Sequence, residues 1–184
     1  SDVKMRLHVL LSIFLILARS EAMRLVLQRV KSASVTVEGT LVSQISRGVL
    51  ALVGIYKDDN AADLEYCAKK LCASKLWDNE NQKSWRKSVK QMEYEVLLVS
   101  QFTLFGDISN KKHVPDFSKS MKSAHASARY GEFKSIVAAQ YGDPTKVKDG
   151  VFGAMMDVTL VNDGPVTLLV DSRESIPDGV CAER

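Results

Sequence analysis

The chain has 184 residues, 46% of them hydrophobic and 26% charged, the proportions of a globular protein able to close a single core. Those values exclude a disordered or collagen-like chain, and three cysteines exclude a disulfide scaffold and suit a reducing compartment. Lys and Arg number 25 against 22 Asp and Glu, a net charge of +3, which permits a polyanionic partner without demanding one.

Residues 1–22 stand apart. From Met5 the chain reads Met-Arg-Leu-His, then an apolar run from Val9 to Ala18, then Arg-Ser-Glu-Ala before Met23. The run is too short for a membrane span, which needs about 20 apolar residues. Two readings stand: a signal-like leader with Ser20-Glu21-Ala22 as a small-x-small site, or an extension ahead of a natural start at Met23. From Met23 a domain is expected to run to Asp171, followed by a tail, residues 172–184, with no helical or strand pattern.

Within 23–171, Arg24–Val30 and Ala33–Val37 alternate at period two, Glu38-Gly39-Thr40 supplies a turn, and Leu41–Ile45 returns as a strand. Gly48–Tyr56 is nearly all apolar, as in a strand covered on both faces. Asp58-Asp59-Asn60 offers an N-cap for a helix in which Leu64, Cys67, Ala68, Leu71, Cys72 and Leu76 recur at helical spacing. Glu93–Phe102 reads as a further strand. A second helix is predicted from about Ser123 to Gln140, with Tyr130, Phe133, Ile136, Val137 and Tyr141 on one face and Gly142 as its stop. Phe152–Val161 and Val166–Val170 read as final strands joined by Asn162-Asp163-Gly164-Pro165. This order argues for an α/β fold: a strongly curved, half-barrel-like mixed sheet with two packed helices in a single domain.

Several chemistries find no support. Cys67 and Cys72 lie about 140° apart around a helix and cannot share a metal. His113 and His125 have no acidic or thiol cluster at ligand spacing, so no metal site is indicated. Neither phosphate-binding nor dinucleotide-binding glycine loops occur, and no cofactor is expected.

Two segments combine polar groups with special backbone requirements. Ser100-Gln101-Phe102-Thr103-Leu104-Phe105-Gly106-Asp107 crowds hydroxyls and an amide onto the end of the apolar strand Val96–Val99. By itself this is also what a strand end capped by Ser and Thr looks like. Asn162-Asp163-Gly164-Pro165-Val166-Thr167 reads locally as a turn. A Gly-Pro bond is also a place where a cis peptide is accessible, and a cis bond there turns consecutive carbonyls to one side, an acceptor pair suited to a primary ammonium group.

From Met23 to about Asp171 the sequence resembles the D-aminoacyl-tRNA deacylases. The resemblance rests on Gln28-Arg29-Val30 with Ala33-Ser34-Val35-Thr36-Val37, on Ser100-Gln101-Phe102-Thr103-Leu104, and on Asn162-Asp163-Gly164-Pro165-Val166-Thr167, the last two in order and about sixty residues apart. It implies an enzyme that hydrolyses the ester of D-aminoacyl-tRNA, and of glycyl-tRNA, in chiral proofreading in the cytoplasm. It further implies a homodimer with active sites at the interface, aminoacyl-tRNA as partner, and no membrane association. Carried over, the carbonyls of Gly164 and Pro165 would meet the substrate ammonium group and Arg29 would brace that loop. Gln101, Phe102 and Thr103, with Ser100 in support, would surround the ester carbonyl, and Phe152 and Met156 would line the adenosine pocket, although both also suit strand core. No histidine occurs in either motif to deprotonate Thr103, which favours water attack assisted by the terminal 2′-hydroxyl over a threonine nucleophile.

Two basic runs, Lys83, Arg86, Lys87 and Lys90 around Trp85, and Lys111, Lys112, Lys119 and Lys122, are the candidate phosphate contacts. Here the chain departs from the family pattern, with Gln82-Lys83-Ser84-Trp85 and Val114-Pro115 in place of the usual residues. The alternative function is a non-catalytic nucleic-acid-binding protein on the same fold.

Overall fold

The computed structural model describes residues 21–175; the apolar run of the leader and the tail beyond residue 175 lie outside them. Strand β1, Arg24–Val37, is a single strand of 14 residues, where two segments were expected. Glu38 and Gly39, at φ 49° and 76°, turn the chain into β2, Thr40–Ile45, and β3 follows at Gly48–Gly54. Helix α1, Ala61–Ala73, starts at a capping box: Asn60 accepts from the Ala62 amide while Asp63 accepts from the Asn60 amide. Short strands β4, Lys75–Trp77, and β5, Lys87–Ser88, form a separate ribbon. Strand β6, Glu95–Ser100, leads into a 3₁₀ turn at Phe102–Phe105. Helix α2, Ser123–Tyr141, ends at Gly142 in the left-handed region, φ 89°. Strands β7, Val147–Asp149, and β8, Asp157–Asp171, complete the sheet.

The main sheet runs β2-β1-β3-β6-β7, with β8 on the other edge of β1. Pairings of β1 with β2, β3 and β8 are antiparallel, whereas β3–β6 and β6–β7 are parallel. The sheet curls until β7 meets β2, where the Lys148 ammonium donates to the Gln44 carbonyl at 2.7 Å. A mixed, nearly closed sheet with two helices in one domain is therefore what forms.

Alternation along β3 explains the two cores. Val49, Ala51 and Val53 face α1 and α2, packing with Leu64, Cys67, Leu71, Phe133 and Val137. Leu50 faces the inside of the curve with Val30, Val35, Leu97 and Val99. A strand buried on both faces must be apolar throughout, and both described cysteines are packing residues here, free and buried.

Two expectations change. Phe152–Met156 is not strand: Gly153 takes φ 76° and pairing with β1 begins only at Asp157. Asn162–Pro165 does not join two strands; both flanking segments pair with the same edge of β1. Between Gln28 and Val30 β1 advances two residues while β8 advances five, from Thr167 back to Asn162, so the segment is an outward bulge. Residues at both ends of the described chain pack locally. Ala22 is fully buried, and Ser172–Ser175 forms a 3₁₀ turn. The Ser172 hydroxyl donates to Asp63 at 2.7 Å and its amide donates to the Met23 carbonyl at 3.0 Å.

Asp59 sits at this junction, 4% exposed, accepting from the amides of Met23 at 2.9 Å and Tyr56 at 2.6 Å. Burial pushes its carboxyl up to about 7, against the downward pull of those amides. An unfolded Asp ionises near 3.9, so the folded state holds the extra proton between about pH 4 and 7. The stabilisation is complete below pH 4 and is lost as pH rises through 7. Asp59→Asn is expected to shrink the fall in unfolding free energy between pH 4.5 and 8 by on the order of 2–3 kcal/mol in urea titrations; an unchanged fall would refute this account.

Candidate active site

The end of β6 is shaped by what packs beneath it. The Gln101 amide donates to the Val53 carbonyl at 2.7 Å, which leads the chain into the 3₁₀ turn directly over the end of β3. Phe105 is the buried foot of that turn, 2% exposed. Its ring lies 5.7 Å from that of Tyr56, with the Arg24 guanidinium 5.1 Å from its centroid. Arg24 also donates to the Leu104 carbonyl at 3.4 Å and to the Asp171 carboxylate at 3.1 Å. With the foot fixed, Phe102 and Thr103 are pushed out to solvent.

A cleft of about 600 Å³ opens beside this turn. Ser100, Gln101 and Phe102 form one wall, and Phe152 with Gly153 closes one end. The opposite wall is the segment before α2, with Phe117, Ser118, Ser120 and Met121, and Ala126 of the helix itself. That segment is locked to the 3₁₀ turn: the Ser120 hydroxyl donates to the Phe102 carbonyl at 2.8 Å, and the rings of Phe102 and Phe117 meet edge-on at 4.9 Å. A methyl group on Gly106 would come within 2.9 Å of the Phe117 ring, so only glycine permits this closure.

Thr103 is exposed and is not among the residues lining the cleft; its hydroxyl oxygen accepts from the Gln101 side-chain amide. Among the described residues no carboxylate, imidazole or amine is within hydrogen-bond reach of that hydroxyl. The groups of the turn that can donate to a developing oxyanion are the Gln101 carboxamide and main-chain N–H groups, with serine hydroxyls and the Lys122 ammonium also lining the cleft. A cleft with an apolar floor, hydroxyls on both walls and no general base is suited to polarising a carbonyl.

The remaining sequence-predicted residues divide. Phe152 lines the cleft and packs on Tyr130 with ring centroids 5.5 Å apart. Met156 does not line it; this side chain joins the inner core and its sulfur would be 2.7 Å from a methyl group on Gly150. Met156 is therefore a core-packing residue, although it lies outside any strand. Arg29, Gly164 and Pro165 form a second locus. The Gly164–Pro165 bond is cis and Gly164 has φ 126°. Arg29 spans the base of the bulge, its Nε donating to the Asp163 carbonyl at 3.2 Å and lying 3.4 Å from the Asp163 carboxylate, with Nη1 donating to the Leu76 carbonyl. Gly164 and Pro165 themselves are exposed. Five residues of β1 separate Arg24, at the cleft turn, from Arg29, at the bulge, a span of about 16 Å at the ordinary strand rise. Within one chain the two motifs are apart.

The wall before α2 was not legible as part of a site. Its signal was the run Ser118-Lys119-Ser120-Met121-Lys122-Ser123, small polar residues leading into a helix, which reads as an ordinary loop. Among the described residues no group of His, Cys, Asp and Glu could hold a metal ion, and no helix is long and apolar enough to cross a membrane.

Comparison with known proteins bears on this cleft directly. Residues 26–171 match the family of D-Tyr-tRNA(Tyr) deacylases. The chain is 46% identical to the D-aminoacyl-tRNA deacylase of Dictyostelium discoideum over 153 residues, covering 83% of this chain and 99% of that protein. It is 47% identical to the D-aminoacyl-tRNA deacylase of Drosophila melanogaster over 152 residues, covering 83% and 94%. Among solved structures, the c-Myc DNA unwinding element binding protein superposes with a TM-score of 0.75 at 41% identity, covering 80% of this chain and 97% of the other. A probable eukaryotic D-amino acid tRNA deacylase superposes with a TM-score of 0.70 at 19% identity and shares the fold. With both motifs in place along one continuous match, the chain belongs to the D-Tyr-tRNA(Tyr) deacylase family.

Proposed function

We propose that this deacylase hydrolyses the ester of D-aminoacyl-tRNA, and of glycyl-tRNA, in the cytoplasm, at two sites each built from two copies of the chain. The cleft of one copy receives the esterified adenosine, with Phe152 against the nucleoside and Gln101, Phe102 and the adjoining N–H groups around the ester carbonyl. The cis Gly164–Pro165 bulge of the other copy presents its carbonyls to the ammonium group. Every aminoacyl ester carries that ammonium group, so fixing it leaves only the hand of the α-carbon to be read. A D side chain points to solvent, an L side chain runs into the wall, and glycine has nothing to reject.

The observation that carries this reading is the exposed bulge, rigidly held by Arg29 yet about 16 Å of strand away from its own cleft. A second copy supplies what one chain lacks. The edge of β8 supports this. Beyond its pairing with β1 it has no strand neighbour among the described residues. It carries Val161, Leu168 and Leu169 at 50%, 42% and 77% exposure, apolar surface on a free edge that calls for a partner.

Thr103 has no base to activate it, so it acts through Gln101, whose carboxamide it orients, and water attack is assisted by the 2′-hydroxyl of the terminal adenosine. Thr103→Ala is expected to lower turnover about 10- to 100-fold through misplacement of Gln101, with residual hydrolysis remaining. Complete loss, together with a trapped acyl-enzyme in the parent protein, would establish a threonine nucleophile instead.

Shared sites make a complementation test available. Gly164→Ala places a methyl group 2.8 Å from Val166 Cγ2 and 3.3 Å from Arg29 Nη2, displacing the bulge, while Gln101→Ala disables the cleft. Co-refolded in equal amounts, the two inactive variants should recover about a quarter of parental activity, since half the dimers are mixed and each has one intact site. No recovery would show that both motifs serve the same subunit. Discrimination is measured on matched D-, L- and glycyl-tRNA: hydrolysis of D and glycyl esters but not L is expected. A parent protein inactive on all three would favour the non-catalytic nucleic-acid-binding reading, to which the DNA-binding name of one structural relative points.

A further inference from the structure

Three of the eight basic residues in the two sequence runs are engaged. Lys87 pairs with Glu80 at 2.9 Å, Lys90 donates to the Gln140 carbonyl at 2.8 Å, and Lys119 pairs with Glu21 at 2.9 Å. Lys122, from the second run, faces a groove together with basic residues from outside both runs. This groove, of about 580 Å³ between the segment after β3 and the first turns of α2, is lined by Lys57, Lys122, His125 and Arg129. These come from three parts of the chain. The Lys57 amide donates to the Lys119 carbonyl at 3.1 Å, Tyr56 bridges Ser120, and the Met121 amide donates to the Ile55 carbonyl at 3.0 Å. That stitching sets Lys57 beside the entry to α2.

Neither Lys122 nor His125 has a side-chain partner among the described residues, and Lys57 meets only the face of Tyr56 at 5.9 Å. Arg129 pairs with Glu132 at 2.8 Å, an exposed pair worth little. The other acid in the groove is Asp59, whose carboxyl is turned onto the amides of Met23 and Tyr56. The first turn of α2 contains no acidic residue. Two of the lining residues, Met121 and Lys122, also line the cleft beside the 3₁₀ turn, so the groove is its continuation.

We propose that this groove holds the phosphodiester backbone of the single-stranded RNA 3′ end immediately preceding the esterified nucleotide, with Lys57, Lys122, His125 and Arg129 as its phosphate contacts. The proposal rests on the deacylase reading of the adjoining cleft. Cations spaced along a groove, without aromatic or amide groups for base edges, position a strand without reading its sequence, as an enzyme that accepts many tRNAs requires.

The test compares two substrates in parent protein and in the Lys57→Ala/Arg129→Ala double variant. D-tyrosyl-tRNA spans cleft and groove; D-tyrosyl-adenosine occupies the cleft alone and carries no phosphate. Each phosphate contact to a single strand adds about 0.7 to the slope of log affinity against log salt. The double variant should lose about 1.4 from the slope of log(kcat/KM) on the tRNA substrate and fall roughly 10- to 25-fold in 0.1 M salt. Its turnover of D-tyrosyl-adenosine should match the parent, which also shows that it is folded. An unchanged salt slope on tRNA, or an equal fall on both substrates, overturns the groove. Failure of the parent protein on both substrates instead overturns the deacylase reading, so the two failures are distinct.

Discussion

Strand β1 is the constraint on which the rest of the molecule depends. Its first half pairs with β3 and its second half with β2 along one edge, while β8 follows the whole of the other. A strand with three partners fixes the relative placement of every element that reaches the site. Arg24 at its start holds the Leu104 carbonyl and Asp171 together, and Arg29 five residues later holds the bulge. One rigid ruler therefore spaces the cleft from the Gly164–Pro165 locus, and the proposed two-copy site rests on that spacing.

The bulge is stabilised by charge placed where neutral pairing fails. The four β8 residues between the partners of Gln28 and Val30, Asp163–Val166, have no ladder partner on β1, and an unpaired strand segment would ordinarily lose its main-chain hydrogen bonds to disorder or water. Arg29 replaces that lost pairing with a guanidinium fork. It reaches the Asp163 carbonyl and carboxylate on one side and the Leu76 carbonyl on the other. The fork ties the bulge to the start of β4, an element otherwise paired only with β5. A lysine could neither span both carbonyls nor keep a fixed direction. The acceptors displayed by Gly164 and Pro165 are thereby positioned by strand geometry and need no support from a flexible loop.

Sequence legibility followed periodicity. The two helices, β3 and the turn at Glu38-Gly39 were readable because packing on one or both faces imposes a repeat over many residues. Strand β7, three residues long, is too short to show one. The bulge was misread for a local reason: Asn-Asp-Gly-Pro is turn chemistry wherever it occurs, and only the pairing of both flanks with one strand tells a bulge from a hairpin. Met156 and Phe152 show the same limit at the site. Four residues apart and both partly buried, they diverge because Gly153 redirects the chain, sending one ring to the cleft and one thioether to the inner core.

Charge was the least legible property, and the reason is physical. Residues adjacent in sequence share a loop or helix turn, and there they meet neighbouring acids and free carbonyls: Glu80 for Lys87, the Gln140 carbonyl for Lys90. An electrostatic surface that binds a long polyanion must instead keep its cations unneutralised and in line over several phosphate spacings. Lys57 and Lys122 come to one groove without an acidic partner through the pairing of residues 55–57 with residues 119–121, a contact between segments more than sixty residues apart. The same pairing builds the far wall of the cleft. The cleft and the groove therefore share one scaffold, and a substitution loosening Met121 from Ile55 would disturb both proposed subsites at once.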